Sequence, residues 1–255
     1  MSRVMCVGIA TLDIINRVEH YPAEDSEVRA LAQSQRLGGN AANTATVLAQ
    51  LGVQAFWVGN PAQPAEIIEH GFARHGVDIS LAVRIPDAVM PTSYILLSRA
   101  NGSRSIVHFR DLPEYSAEDF LELDLRSFDW VHFEVARSIS WSRCYGVREA
   151  CADRRFRWRW RSRGTGSRHC SNRRTCCCSR VIMHRPWGLR MQRRFCAASP
   201  QGVLATRTWG AQGAWAIDHD GGLLHAAASV HEPVIDTIGA GDVFNAAMVH
   251  ALSTG

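Results

Sequence analysis

The strongest chemical pattern in this 255-residue chain lies at residues 236–245, where an apolar run leads into Gly239-Ala240-Gly241-Asp242 and a helix-like run follows. Two glycines allow the backbone to turn tightly and approach a ligand. The free N–H groups at the start of a helix favour an anion there. Asp242 could cap that helix, or it could be a general base beside an anion hole, as phosphoryl transfer to a hydroxyl requires.

A second polar cluster follows a glycine pair, Gly38-Gly39, that opens a predicted helix. Asn40 and Asn43 are three residues apart and therefore share one face of the first helical turn. Amides both donate and accept hydrogen bonds, which suits sugar hydroxyls; the alternative is a capping Asn and a surface Asn. Asp13 follows the first predicted strand, at the edge where parallel sheets bind ligands, although a turn Asp is the simpler interpretation.

The elements that must position these residues alternate along the chain. Apolar runs predict buried strands over 4–9, 53–59 and 130–134, and Asn101-Gly102 predicts a hairpin between strands over 92–98 and 104–109. Helices are predicted over 40–51, 64–75, 116–123 and 243–252, and a further hairpin over 203–217. Strands alternating with helices indicate an α/β fold with a largely parallel sheet.

Composition divides the chain into two parts. All 28 basic residues are Arg, and residues 135–196 hold 17 of them, seven of the eight Cys and only two acidic residues. The Arg- and aromatic-rich stretch 154–163 raises a nucleic-acid-binding module as a competing interpretation. The abrupt flanks of the segment disfavour it, and we expect no nucleic-acid partner.

The N-terminal apolar run is too short to span a membrane and has no signal-peptide pattern, so we expect a cytoplasmic protein without a membrane partner.

The order of the motifs resembles the ribokinase-like (PfkB) family of sugar kinases. The resemblance covers about 3–134 and 202–255, and the segment Tyr-Pro-Ala-Glu-Asp-Ser-Glu at 21–27 resembles the ketohexokinase group of that family. The other segments that carry it are 6–13, 38–43, 101–104, 130–134, 209–214 and 236–245.

The resemblance implies one ribokinase-like domain over 1–255: a doubly wound, Rossmann-like three-layer α/β fold with a mostly parallel sheet. A small β lid would come from 14–37 and 90–110 and would also form a homodimer surface. The implied activity is ATP-dependent phosphorylation of a sugar hydroxyl, with fructose to fructose 1-phosphate first. Ribose, adenosine or a fructose phosphate as acceptor, and an inactive derivative that binds sugar or nucleotide, stay open as alternatives.

The resemblance also implies roles for individual residues. Asp242 would take the proton from the acceptor hydroxyl, and Asp25 would lie where the dimer partner reaches the active site. The N–H groups offered to the transferring phosphoryl group would be those of Gly239, Ala240 and Gly241. The sugar would be held by Asp13, Gly38, Gly39, Asn40 and Asn43. The nucleotide would be contacted by Arg104 and bordered by Gly210, Ala211, Gln212 and Gly213. ATP and Mg²⁺ are the implied cofactors, with K⁺ as a further candidate, and no metal ligand is assigned.

Two departures from the family pattern follow Glu134. Residues 135–196 match none of the expected helix and strand sequence, which suggests that this segment is translated out of frame between two compensating indels. We expect about 140–195 to be poorly ordered and the chain to be unstable, because unpaired Arg cannot fill a core. Reading the DNA across codons 130–200 in all three frames would test this. The chain also ends earlier than the family pattern, so we expect a truncated C-terminus.

Overall fold

A computed structural model of the protein describes residues 1–134, 175–176, 205–217, 222–229 and 237–254. Its helices are α1 Asn40–Gln50, α2 Glu66–His75, α3 Ala117–Leu121 and α4 Ala240–Thr254. Its strands are β1 Arg3–Val7, β2 Thr11–Val18, β3 Ala32–Gly38, β4 Gln54–Val58, β5 Ala62–Gln63, β6 Ile85–Pro86, β7 Thr92–Ser98, β8 Arg104–Phe109, β9 Trp130–Phe133, β10 Thr175–Cys176, β11 Ala205–Thr208, β12 Ala214–Ile217 and β13 Leu223–Ala226.

The central sheet is parallel and has the order β10-β9-β1-β4. Its inner strand β1 is apolar and buried from Val4 to Val7, as expected for a parallel strand covered by helices. The chain passes from β1 to β4 on one side and later to β9 on the other. The strand order therefore reverses at β1, and its carboxyl end is the place where such sheets form a ligand crevice.

Helices cover the two faces of this sheet, which makes a three-layer α/β structure. On one face α1, α2 and α4 pack through small and aliphatic side chains such as Ala45, Ile68 and Val249. On the other face α3 and the turn at Leu125–Ser127 pack through aromatic residues, including Phe120, against Phe56 and Phe133. Two polar side chains, Cys6 and His132, are partners on β1 and β9 inside this core.

The predicted capping of α3 is confirmed, although the helix is shorter than the predicted 116–123. The Ser116 hydroxyl accepts a hydrogen bond from the Asp119 N–H at 2.9 Å and donates to the Asp119 carboxylate at 2.7 Å. Likewise α2 begins at Glu66, two residues after the predicted start at Pro64. Ala65 is its N-cap and has non-helical backbone angles.

A separate four-stranded sheet, β3-β2-β7-β8, forms the lid. β2 pairs antiparallel with β3 and parallel with β7, and the predicted Asn101-Gly102 hairpin joins β7 to β8. The lid begins at Thr11 and ends at Phe109, close to the predicted segments. Two smaller sheets complete the described strands: antiparallel β11-β12-β13, which contains the second predicted hairpin, and the short parallel pair β5-β6.

The expectations for 135–196 fall almost wholly outside the described residues. The part of this segment that the structure describes is β10, which pairs with β9 at Val131 and His132. Within the described ranges, none of the helices is long and apolar enough to cross a membrane.

The chain passes from the lid to α1 through Gly39, where the geometry requires glycine. Gly39 has φ +100°, which L side chains rarely adopt, and a Cβ there would lie 2.3 Å from the Ile9 carbonyl oxygen. Its own carbonyl accepts the Asn43 N–H at 2.8 Å and starts the helix. The start of α1 is thus packed against the loop that leaves β1.

We expect Gly39→Ala to lower the free energy of unfolding by about 2 kcal/mol more than Gly52→Ala does. Both glycines have positive φ, but a Cβ on Gly52 would have no atom within 4 Å. The control therefore carries the backbone strain without the steric clash. Urea unfolding of the two variants measures the difference, and equal midpoints would show that the loop after β1 moves freely to accept the methyl group.

Candidate active site

Three polypeptide segments converge on the carboxylate of Glu134, at the carboxyl ends of β1 and β9. Its Oε2 accepts hydrogen bonds from the Ile9 N–H at 3.0 Å and from the Ala41 N–H at 3.1 Å. Its Oε1 accepts from Asn40 Nδ2 at 2.8 Å. A negative charge at the first turn of α1 is also favoured by the helix dipole. Glu134 therefore fixes both the start of α1 and the direction of the Asn40 amide.

Burial raises the pKa of the Glu134 carboxyl, because the charged form loses hydration. The nearby Asp242 carboxylate adds to this rise, while the hydrogen bonds from Ile9, Ala41 and Asn40 oppose it. Glu134 and Asp242 are therefore close enough to influence each other's charge.

Asp242 lies in the first turn of α4 and is 2% exposed. Its Oδ2 accepts a hydrogen bond from Asn43 Nδ2 at 2.9 Å. Gly239, at φ +79°, forms the turn before the helix, and its carbonyl accepts the N–H groups of Asp242 at 2.8 Å and Val243 at 2.9 Å. A Cβ on Gly239 would lie 3.7 Å from Asn43 Nδ2. The Gly-Ala-Gly turn, the Asn43 amide and the Asp242 carboxylate thus adjoin one another.

Asp13 projects from the lid strand β2 and is 6% exposed. Its Oδ1 accepts a hydrogen bond from the Thr11 hydroxyl at 2.8 Å. Gly38 lies directly beneath it: a Cβ on Gly38 would come within 2.2 Å of the carboxylate. Gly38 therefore makes room for the Asp13 side chain, whereas Gly39 makes room for the backbone of the β1 loop.

The lid touches the segment before α4 at two places. Arg104 Nη1 on β8 donates to the Thr237 hydroxyl at 2.6 Å and to the Thr237 carbonyl at 3.4 Å. Ile238 packs against a buried lid cluster of Ile15, Ile95 and Leu97. The Arg104 guanidinium is consequently anchored beside the Gly-Ala-Gly turn.

A groove of about 790 Å³ opens from these residues and runs between α1, α2, β3 and the start of α4. Asn43 and Gly239 lie at its edge, and Arg36 and Arg74 are among the charged groups that line it. Asn43 and Gly239 line the groove and adjoin Asp242, and Asn40 lies one helical turn before Asn43. Asp13 adjoins Gly38, two residues before Asn40.

Two parts of the predicted site, Asp25 and residues 210–213, make no side-chain hydrogen bond to these residues within the described part of the chain. Asp25 is exposed in the turn between β2 and β3, with φ +54°. Residues 210–212 form a short 3₁₀ turn between β11 and β12, and Gly213 follows it. A Cβ on Gly213, which has φ +90°, would lie 2.1 Å from the Ala226 carbonyl oxygen, so local packing against β13 already requires that glycine.

Sequence reasoning assigned no role to Glu134 or Thr237. Glu134 is a carboxylate at the carboxyl end of the predicted strand 130–134, the same edge of the sheet that drew attention to Asp13, and that signal could have found it. Thr237 carried no comparable signal. Among the described residues no three His, Cys, Asp or Glu side chains are grouped so as to hold a metal ion, so we assign no metal ligand.

Comparison with known proteins identifies the family of the chain. The family model described as pfkB family carbohydrate kinase matches residues 1–152 and 201–255, and the unmatched stretch overlaps the Arg- and Cys-rich segment. The chain is 32% identical over 268 residues to ketohexokinase from Mus musculus, a match that covers 100% of this chain and 90% of that protein.

Solved structures show the same fold. A ribokinase from Cryptococcus neoformans var. grubii serotype A, in complex with ADP, has a TM-score of 0.71 at 18% identity, over 100% of this chain and 88% of that one. An Arabidopsis thaliana ribokinase complexed with ribose and ATP has a TM-score of 0.66 at 19% identity, over 100% and 86%. The predicted ribokinase-like α/β fold is confirmed, and the chain belongs to the PfkB family of carbohydrate kinases.

Proposed function

We propose that this chain transfers the γ-phosphoryl group of ATP to a hydroxyl of a sugar, with fructose to fructose 1-phosphate as the first candidate reaction. The observation that carries this proposal is the buried Asp242 carboxylate, held by Asn43 at 2.9 Å beside the Gly-Ala-Gly turn. A general base next to backbone N–H donors is what phosphoryl transfer to a neutral hydroxyl requires.

In the proposed reaction the acceptor hydroxyl donates its hydrogen bond to Asp242. The hydroxyl oxygen forms a bond to the γ-phosphorus while the bond from that phosphorus to the bridging oxygen breaks, and ADP leaves. The hydroxyl proton passes to the Asp242 carboxylate. N–H groups of Gly239, Ala240 and Gly241 would stabilise the charge on the transferring group, because they lie at the positive end of α4. Mg²⁺ accompanying the nucleotide would neutralise phosphate charge; K⁺ stays a prediction.

We assign the sugar to the space bounded by Asp13, Gly39, Asn40 and Asn43. Asp13 can accept hydrogen bonds from two hydroxyls, and each Asn amide can both donate and accept. Glu134 would act as a positioning residue, since it holds Asn40 at 2.8 Å. Fructose is preferred because a relative that matches the chain over its whole length, at 32% identity, is a ketohexokinase. Ribose and adenosine remain alternative acceptors, and a binding protein without turnover remains an alternative function.

A cytoplasmic location stays a prediction from the N-terminal sequence.

Asp242→Asn should reduce the rate of ADP formation with fructose by about 10²- to 10⁴-fold, because an amide cannot take the proton. The isosteric change keeps the shape of the buried site. Asp87→Asn is the matched control, since Asp87 is an exposed turn carboxylate, and it should leave turnover unchanged. Coupled detection of ADP with ATP, magnesium ion and a panel of acceptors measures both variants.

Unchanged turnover in Asp242→Asn would contradict the assignment of the base. Calorimetric binding of fructose or ATP to the original chain, without ADP formation, would instead favour the inactive-derivative alternative. Turnover of another acceptor in the panel with fructose inert would correct the choice of sugar alone.

We further propose that Arg104 contacts the phosphates of ATP, because its guanidinium is already anchored beside the turn before α4. Arg104→Ala should raise the KM for ATP about tenfold while changing the KM for the sugar less, given the strength of charge-assisted hydrogen bonds. Arg99→Ala on the same hairpin is the control, because Arg99 is 65% exposed and pairs with Glu19. Equal KM values for ATP in the two variants would contradict the assignment of Arg104 to the nucleotide site.

We also propose a homodimer through the outer face of the lid. Tyr94 and Val107 are cross-strand partners, and with Phe109 they place exposed apolar side chains on that face, at 51%, 70% and 50% exposure. Exposed apolar patches of this kind mark interaction surfaces. In such a dimer the exposed Asp25 could reach the partner's active site.

Val107→Asp should shift the chain from dimer to monomer at micromolar concentrations, because a buried unpaired carboxylate is costly. Val89→Asp is the control: Val89 is 55% exposed and lies outside the lid strands. Sedimentation equilibrium measures both, and a monomeric original chain at 50 µM would refute the proposed interface.

A further inference from the structure

A row of polar side chains crosses all four strands of the lid at the level of Asp13. In the register of the sheet, Arg36 on β3 pairs with Asp13 on β2, Asp13 pairs with Ser93 on β7, and Ser93 pairs with His108 on β8. Directly opposed residues in a sheet project from the same face. The four side chains therefore belong to one face, and Asp13 is the member of the row assigned to the sugar.

This face is turned toward the catalytic segment. Arg104, four residues before His108 on the same strand, projects from the same face and donates to Thr237. Ile95, next to the row, packs with Ile238 at the turn before α4. At the other end of the row, Arg36 lines the groove that opens at Asn43 and Gly239. The row thus lies on the face of the lid that is turned toward the candidate active site.

His108 is exposed on this face of the lid, but a contact with a neighbouring side chain restrains its imidazole ring. Its Nδ1 lies 3.3 Å from the hydroxyl oxygen of Ser93, which is itself 8% exposed. This contact orients the imidazole ring and leaves Nε2 for another partner. Two strand spacings, roughly 10 Å, separate the positions of Asp13 and His108, so both side chains can reach one small ligand that carries several hydroxyls.

We propose that His108 is a specificity-determining residue of the acceptor site, oriented by Ser93 to hydrogen-bond a sugar hydroxyl other than the one that is phosphorylated. The proposal rests on the proposed function, because it requires a sugar beneath Asp13. It adds a residue of β8 to a site otherwise formed by β2 and α1.

Burial and the charged groups on this face act on the His108 imidazole. Partial burial lowers the pKa of the imidazole, the Arg110 guanidinium lowers it further, and the Asp13 carboxylate opposes this shift. Arg104 and Arg36 add positive charge on the same face. Protonation as the pH falls would place an imidazolium in the row and attract the Asp13 carboxylate, which would then compete with the sugar for Asp13.

The test compares His108→Gln, His108→Ala and a control, His20→Gln, in which the histidine is exposed at a bend outside the lid strands. His108→Ala should raise the KM for fructose about threefold to tenfold with less than a twofold change in kcat, the effect of one neutral hydrogen bond. His108→Gln keeps an amide donor and acceptor and should recover part of this loss. The control should behave as the original chain.

The pH profile separates a ligand contact from a merely structural role. In the original chain the KM for fructose should rise as the pH falls from 7.5 to 5.5, and this rise should flatten in His108→Gln, which cannot take a proton. Ser93→Ala should raise KM at all pH values, because the ring loses its orientation. Thermal unfolding of each variant shows whether the fold is intact, and calorimetric binding of fructose gives the same comparison independently of turnover.

An original chain that uses or binds fructose, with His108 variants identical to it in KM, Kd and pH profile, would overturn the role of His108 and leave the proposed function standing. A fall in kcat with unchanged KM would also overturn it. An original chain that neither binds nor phosphorylates fructose would overturn the choice of sugar in the proposed function and the inference that rests on it.

Discussion

The candidate site depends on one buried carboxylate that holds together segments distant in the sequence. Glu134 accepts the N–H groups of Ile9 and Ala41 and the amide of Asn40. Hydrogen bonds to a charged group are worth about 1.5–3 kcal/mol each, and here they also offset the burial that raises the pKa of the carboxyl. Without them the start of α1, the loop after β1 and the end of β9 would have no common anchor.

Helix α1 connects this anchor to the Gly-Ala-Gly turn before Asp242. Asn40 and Asn43 are one helical turn apart, so fixing Asn40 through Glu134 also fixes Asn43, which donates to Asp242. The buried face of α1 is built of alanines, including Ala41, Ala42 and Ala45, and such small side chains let α1 lie close to α4. A larger residue on this face would push the Asn43 amide and the Asp242 carboxylate apart.

Local patterns in the sequence were sufficient to predict the helices, with some shift in their ends, most of the longer strands and several residues of the candidate site. The glycine turn before Asp242, the Asn40–Asn43 spacing and the strand preceding Asp13 each lie within a few residues of the side chain concerned. The partners of Glu134 lie 93 to 125 residues away from it, and Thr237 lies 133 residues from Arg104. No short-range periodicity encodes such pairings, so only the folded sheet order reveals them.

The contact between Arg104 and Thr237 joins the lid to the segment before α4. A guanidinium carries five N–H donors in a rigid plane, and Nη1 alone makes both bonds to Thr237. An anion arriving at the Gly239 turn can be met by the same guanidinium while Thr237 still holds its orientation. Arg104, Asp13 and His108 lie on one face of a single hydrogen-bonded sheet, so anchoring Arg104 also restrains the positions of the other two. In the proposed function this would set their distance from the sugar. In the proposed function, the position of the lid would therefore determine nucleotide and acceptor geometry together.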